Sequence, residues 1–187
     1  MNSNSKIEKA HRTLLMIGMF SIVMLFAGLT SAYIVSKGSL GTKWDVINLP
    51  FMFYISTLMI LISSYFGYSA TKNVLSDKTD ALSKSLFITI IFGVLFFIFQ
   101  ILGWNALTIQ GKFLSGNNVA SSYLYVLTFA HLLHLIGGLI ALIVVYAKSI
   151  QKKYSSENYN SLLIAVRFWH FLAILWVYLI LFILFIN

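Results

Sequence analysis

The sequence contains no cysteine, only one proline and few charged residues. Without cysteine, the chain cannot form a disulfide framework, a thiolate-ligated haem site, an iron–sulfur cluster or a two-cysteine copper centre. Charged residues make up 10% of the 187 positions, whereas 59% are hydrophobic and the mean hydropathy is +0.88. A water-soluble domain of this length could not bury so many apolar side chains. The composition therefore predicts a protein whose surface faces lipid.

Five apolar stretches follow one another along the chain, each at least 22 residues long. A helix of about 20 residues crosses a hydrocarbon core roughly 30 Å thick, because each residue adds about 1.5 Å. Backbone amides in lipid need partners within their own segment, and none of the stretches alternates like a barrel strand. We therefore predict an all-α integral membrane protein, a single membrane domain of residues 1–187 built as a bundle of five transmembrane helices. The predicted spans are residues 13–35, 49–70, 86–109, 123–147 and 162–186.

The 13 basic residues are divided unevenly between the two sides of this predicted bundle. Three of them, Lys37, Lys43 and Lys112, lie on the side that contains the C-terminus. The other ten lie on the side of the N-terminus: Lys6, Lys9, Arg12, Lys72, Lys78, Lys84, Lys148, Lys152, Lys153 and Arg167. Because Lys and Arg near span ends favour the cytoplasmic side, we predict a cytoplasmic N-terminus and an outside C-terminus. This topology accounts for the net charge of +8, and no nucleic-acid partner is indicated.

Acidic residues are missing from all five apolar stretches. The chain has five of them, all in flanking segments: Glu8, Asp45, Asp77, Asp80 and Glu157. A self-contained proton pump or ion-coupled carrier usually needs a carboxylate at membrane depth. The sequence therefore argues against both of these classes of transport protein.

Three histidines fall within the predicted spans. His131 and His134 are three residues apart on the fourth helix and share a face with Gly138, while His170 lies on the fifth helix. One interpretation is a b-type haem or metal site in which His170 supplies a further ligand. The other is that the histidines form hydrogen bonds between helices. We favour the second, because a single histidine pair is a weak indication of metal binding, and we assign no catalytic, cofactor-binding or metal-binding residue.

The other polar and aromatic side chains in the spans also have structural interpretations. Gln100 lies mid-span in the third helix and is expected to hydrogen-bond between helices. Trp169 and Trp176 are seven residues apart, which predicts a packing stripe on the fifth helix. Arg167, about one turn into that helix, is expected to extend its side chain to lipid headgroups rather than to an ion pair with a partner subunit.

Small residues recur one helical turn apart on the first and fourth helices. Examples are Gly28 with Ala32 and Gly137 with Ala141. Such spacing lets helix backbones approach closely, so it predicts packing faces within the bundle.

Four segments resemble helices of the cytochrome oxidase subunit III family. Residues 123–145 have the sequence YLYVLTFAHLLHLIGGLIALIVV and resemble the penultimate family helix, which carries two histidines three residues apart followed by small residues. Residues 168–179, FWHFLAILWVYL, resemble the last helix, and residues 23–35, VMLFAGLTSAYIV, resemble an earlier one. Gln100 and Trp104 match a Gln and a Trp of another family helix. The order and spacing of these segments agree with the family over nearly the whole chain.

The sequence also departs from the family pattern. Ile22, Gly103 and Ala173 stand where family members often carry Glu, Glu and Asp. These departures argue against a direct role in proton traffic. In addition, seven-helix members have two helices before the region of resemblance, so the chain is similar to the shorter, five-helix bacterial form.

The resemblance implies an accessory subunit of a respiratory haem-copper oxidase in a bacterial cytoplasmic membrane. Such a subunit packs against catalytic subunit I, binds phospholipid, and supports proton uptake and stability during turnover. Haem and copper are then expected in partner subunits I and II rather than in this chain. The side chains expected to contact lipid or neighbouring helices are Gln100, His131, His134, Arg167, Trp169 and His170.

Three alternatives remain open from the sequence. A subunit of a quinol oxidase or nitric oxide reductase would differ in the electron donor, which this chain does not identify. A free-standing b-haem electron carrier and a small transporter belong to different functional classes. A haem absorbance band of the isolated chain would favour the carrier, and solute flux through it would favour the transporter.

Overall fold

The computed structural model describes residues 3–44, 46–114, 119–155 and 158–186, although not the side chains of residues 3–8 and 43. Within these ranges the chain forms five long α-helices and a short 3-10 helix, Gly41–Lys43. The α-helices are α1 (Ser3–Leu40), α2 (Phe51–Leu75), α3 (Thr79–Ile109), α4 (Val119–Ile150) and α5 (Asn160–Ile186). Each is long and apolar enough to cross a membrane, so the predicted five-span, all-α fold is confirmed. Of the five acidic residues, Asp45 and Glu157 lie outside the described residues.

Local backbone conformation ends three of the helices. Shortly after each of the helices α2, α3 and α4, one residue has a left-handed φ: Asp77 (52°), Gly111 (75°) and Lys152 (51°). In each case the next N–H bonds to a carbonyl five residues earlier: Lys78 to Asn73, Lys112 to Leu107 and Lys153 to Lys148. This arrangement supplies partners for carbonyls that the helix itself leaves free. At the N-terminal end of a helix, Pro50 directly precedes α2 and marks its start.

Consecutive helices are antiparallel, so α1 and α5 run parallel to each other. At one end of this pair, Arg12 Nη2 donates to Asn160 Oδ1 at 2.5 Å. At the other end, the Lys37 ammonium donates to the carbonyl of Ile186. The basic-rich and basic-poor segments of the sequence therefore lie at opposite ends of the bundle, while the side of the membrane that each end faces stays a prediction.

Burial increases from the first helix to the last. In the most apolar 18-residue segment of α5, 44% of the residues are buried, compared with 17% in α1. The buried side chains of α1 form one narrow strip along a single face: Ile22, Phe26, Thr30 and Tyr33. Helix α5 contacts α1, α2 and α4, whereas α1 contacts only α4, α5 and the short 3-10 helix within the described ranges. The core thus lies between α2, α3, α4 and α5, and α1 covers one side of it.

Candidate functional site

Eight buried residues at the centre of the core form two layers that are seven residues apart on each of four helices. The Trp169 layer consists of Ser63, Gly93, Gly138 and Trp169. The Trp176 layer consists of Ser56, Gln100, His131 and Trp176. Seven residues are two helical turns, or about 10 Å along each helix. The Trp169 layer is nearer the end of the bundle that carries most basic residues.

The Trp169 layer is closely packed, and its indole N–H is paired. Trp169 Nε1 donates to Ser63 Oγ at 3.0 Å, and that hydroxyl donates to the carbonyl of Thr89 at 2.7 Å. A Cβ atom added to Gly93 would lie 2.9 Å from Cζ2 of Trp169. One added to Gly138 would lie 3.2 Å from Cε3 of the same ring. Two glycines on different helices therefore make room for one fully buried indole.

The Trp176 layer begins with two hydroxyl groups of α2 that orient side chains from other helices. Trp176 Nε1 donates to Thr57 Oγ1 at 3.0 Å, and Gln100 Nε2 donates to Ser56 Oγ at 2.8 Å. Both hydroxyls donate to the carbonyl of Phe53, at 2.7 Å for Thr57 and 2.8 Å for Ser56. The amide of Gln100 is thereby fixed in orientation. Its Oε1 atom is buried and has no hydrogen-bond partner in the described ranges.

His131 completes this layer and is enclosed by aromatic rings. Its imidazole stacks on Trp176, with ring centroids 5.1 Å apart and an interplanar angle of 29°. The rings of Phe96 and Phe26 approach it edge-on, with centroid distances of 6.2 and 6.3 Å. The side chain has no exposed surface, and neither ring nitrogen has a hydrogen-bond partner among the residues that the structure describes. Within the described part of the chain, the layer therefore contains three buried polar atoms without a hydrogen-bond partner.

The other two histidines of the predicted spans make hydrogen bonds and point elsewhere. His134 Nδ1 lies 2.7 Å from the carbonyl of Ala130, and because a carbonyl only accepts, this nitrogen carries the proton. His170 Nδ1 lies 2.5 Å from Ser64 Oγ, which places its ring against α2. His131 instead meets α5 at Trp176. The three histidines do not converge, and no group of three His, Asp or Glu side chains among the described residues is arranged to hold a metal ion.

Arg167 lies on the exposed surface of α5. Since α5 begins at Asn160, Arg167 is seven residues, or about two turns, into the helix, which is one turn deeper than the sequence predicts. The difference arises because the helix begins in the polar segment before the apolar stretch. At the same end of the bundle, Lys152 and Asp80 form an exposed ion pair at 4.0 Å.

The three positions where the chain lacks family carboxylates are all buried. Ile22 is 9% exposed and Ala173 is 2% exposed. A Cβ atom added to Gly103 would lie 2.8 Å from Cε2 of Phe53, so the Phe53 ring occupies the space that a longer side chain would need. Apolar packing therefore replaces any carboxylate at these positions.

Sequence reasoning missed the role of α2, and of the close-packed glycines it identified only Gly138, on the face shared with His131 and His134. Gly28 and Gly137 have no atom within 4 Å of an added Cβ, so neither is in close contact within the described chain, contrary to the prediction. The close contacts occur instead at Gly93, Gly103 and Gly138. A signal for the layers was present in the seven-residue spacings, but spacing within one helix does not show which face points inward.

The similarity of this chain to known proteins extends over all five helices. Residues 2–187 match the model of a family described as cytochrome c oxidase subunit III. Relatives include the probable cytochrome c oxidase subunit 3 of Mycobacterium leprae (strain TN), 27% identical over 160 residues that cover 84% of this chain and 78% of that protein. The corresponding protein of Nocardia farcinica (strain IFM 10152) is 27% identical over 162 residues, with coverage of 84% and 78%. The cytochrome c oxidase subunit 3 of Spodoptera frugiperda is 28% identical over 133 residues, covering 70% and 86%.

Proposed function

The chain belongs to the cytochrome c oxidase subunit III family, and we propose that it acts as the non-redox scaffold of a haem-copper oxidase. As a subunit III it is a multi-pass membrane protein and part of a complex with other oxidase subunits. In the proposed role it packs directly against catalytic subunit I in a bacterial cytoplasmic membrane. Subunits I and II hold the haem and copper, and phospholipid binds to this chain.

One observation carries the scaffold role: positions 22, 103 and 173 are filled by buried apolar residues or by a neighbouring ring. A proton path through the interior of a membrane protein usually depends on titratable groups at membrane depth. Here the interior is occupied by packed aromatic and aliphatic side chains at the positions where relatives often have acids. The contribution to proton uptake is therefore indirect, through the shape of subunit I and the lipid held beside it.

Deleting the chain from the oxidase tests this role. The remaining complex should show normal haem spectra and normal initial oxygen consumption, because its redox centres lie in other subunits. It should then lose activity during sustained turnover or dissociate in detergent, and re-expression of the wild-type chain should restore both properties. An immediate loss of proton pumping in an otherwise intact and stable complex would contradict the scaffold role.

The names of the relatives favour cytochrome c as the electron donor of the complex. Purification of the tagged chain in mild detergent tests this part of the proposal. A haem-copper subunit I should co-purify, and the accompanying subunit II should have the copper site of a cytochrome c oxidase. A subunit II of the quinol oxidase type, or a nitric oxide reductase partner, would overturn the choice of donor without affecting the family membership.

The orientation follows from the basic residues and also belongs to the proposal. Single cysteines replace Ser39, Ser76, Ser115 or Ser156, of which the last two lie outside the described residues. Because the native chain has no cysteine, an impermeant thiol reagent applied to intact cells reports only these positions. Ser39→Cys and Ser115→Cys should react, and the other two should react only after lysis. Labelling of Ser76→Cys or Ser156→Cys in intact cells would reverse the proposed orientation.

A further inference from the structure

Gln100 and His131 lie at the same height on neighbouring helices. Helices α3 and α4 are antiparallel, and Trp104 Nε1 of α3 donates to Thr128 Oγ1 of α4 at 3.0 Å. Gln100 lies one turn before Trp104 on α3, and His131 lies one turn after Thr128 on α4. In an antiparallel pair these two steps lead in the same direction. The unpaired amide oxygen and the unpaired imidazole are therefore in one layer.

Few other groups in this layer can pair with them. The hydroxyls of Ser56 and Thr57 already donate to the carbonyl of Phe53. The indole N–H of Trp176 already donates to Thr57. Two other rings in contact with His131, those of Phe26 and Phe96, are hydrocarbon and accept hydrogen bonds only weakly. His134, one turn along α4, bonds to the carbonyl of Ala130.

Buried polar atoms in proteins almost always have a hydrogen-bond partner, either a protein group or an ordered water. Gln100 is 1% exposed and His131 is 0% exposed, and lipid outside the bundle offers no hydrogen bond. We propose that a water molecule is bound in the Trp176 layer, between Oε1 of Gln100 and one ring nitrogen of His131. The water donates one hydrogen to Oε1. Its second hydrogen or its oxygen pairs with the imidazole, which has one donor and one acceptor nitrogen when neutral.

This water would join α3 and α4 near mid-membrane. Among the described residues, the hydrogen bonds that join two side chains of these helices are towards the helix ends, at Trp104 with Thr128 and at Ser83 with Ser149. The bridge also explains why a polar amide is held in a fixed orientation by Ser56 in an otherwise aromatic layer. The site requires no metal and no titration of His131.

A high-resolution cryo-EM map of the complex purified through the wild-type chain tests the site directly. The map should contain a peak within about 2.6–3.2 Å of both Gln100 Oε1 and a ring nitrogen of His131. A direct hydrogen bond between the two side chains, or the absence of a peak at a resolution that shows other internal waters, would overturn the proposal. This measurement does not depend on the identity of the partner subunits.

Variants provide a second, independent measurement in the same complex. Gln100→Met and His131→Phe should each lower the temperature of half-unfolding. The double variant should unfold no earlier than the less stable of the two single variants, because either substitution alone already removes the bridge. His134→Phe serves as the matched control, since His134 bonds to its own helix and its effect should add to that of Gln100→Met. Haem content per complex should stay unchanged in all of them. Additive effects of Gln100→Met and His131→Phe would contradict the bridge.

Discussion

The Trp169 layer and the Trp176 layer use equivalent positions for different purposes. Each has a buried tryptophan of α5 whose indole N–H donates to a hydroxyl of α2. In the Trp169 layer the facing positions on α3 and α4 are glycines, and the indole fills the space between them. Seven residues away the same two positions are Gln100 and His131. The comparison shows that one helical framework can hold a closely packed layer whose indole and hydroxyl groups are paired within the described chain and, two turns away, a layer with polar atoms that need a further partner.

The largest effect is expected from a side chain added to the Trp169 layer. Gly138→Val should destabilise the bundle by roughly 3 kcal/mol or more, at the upper end of the overpacking range, because the new atoms would overlap both Trp169 and Leu172. Gly137→Val is the matched control: it has the same change on the preceding residue, where no atom lies within 4 Å of an added Cβ. Thermal unfolding of the detergent-solubilised chain measures both. Equal losses of stability would show that close packing at Gly138 is not the cause.

An intermediate effect is expected when each tryptophan loses its N–H. Trp169→Phe should cost about 2–3 kcal/mol, since it removes a buried hydrogen bond and leaves a gap between two glycines. Trp176→Phe should cost about 1 kcal/mol, because the His131 and Phe96 rings still pack against the smaller ring and only the bond to Thr57 is lost. Denaturation of the two variants in the same detergent tests the difference. A larger loss for Trp176→Phe would reverse the contrast between the layers.

The smallest effect is expected from a carboxylate introduced beside the Trp169 layer. Thr30 of α1 hydrogen-bonds to Tyr178 of α5, and eight residues earlier on each of these parallel helices are Ile22 and His170. Ile22 is therefore at the height of His170, next to Trp169. The number of protons pumped per electron should not increase after Ile22→Glu, because the side chains of this layer are closely packed and its indole N–H is already paired. The number of protons pumped per electron is measured from proton release by vesicles that contain the reconstituted oxidase, with Ile22→Gln as the control. A higher pumping ratio would show that the Trp169 layer does not block protons.

Hydropathy and spacing predicted the helices and part of the core. The five spans follow from apolar length, and the burial of Trp169 and Trp176 follows from their seven-residue spacing. The α-helices extend beyond the apolar stretches, as α1 does by beginning at Ser3, because hydropathy does not report helix formation in a polar segment. Periodicity also could not choose between Gly137 and Gly138, which are adjacent and differ only in the neighbour that each one faces. The hydroxyls of α2 were missed for the same reason: their partners lie on other helices.

The parallel pairing of α1 with α5 has a consequence for biosynthesis. Helix α1 is translated before α4 and α5, yet these two are its α-helical neighbours in the described chain. The bonds from Arg12 to Asn160 and from Lys37 to Ile186 join residues that are 148 and 149 positions apart. Because contacts between such distant segments form late, α1 must wait in the bilayer, or beside the insertion machinery, until α4 and α5 have been made. A ribosome that stalls before α5 therefore leaves α1 without one of its two α-helical neighbours, and the truncated chain exposes the buried face of α1 to the membrane's quality-control proteases.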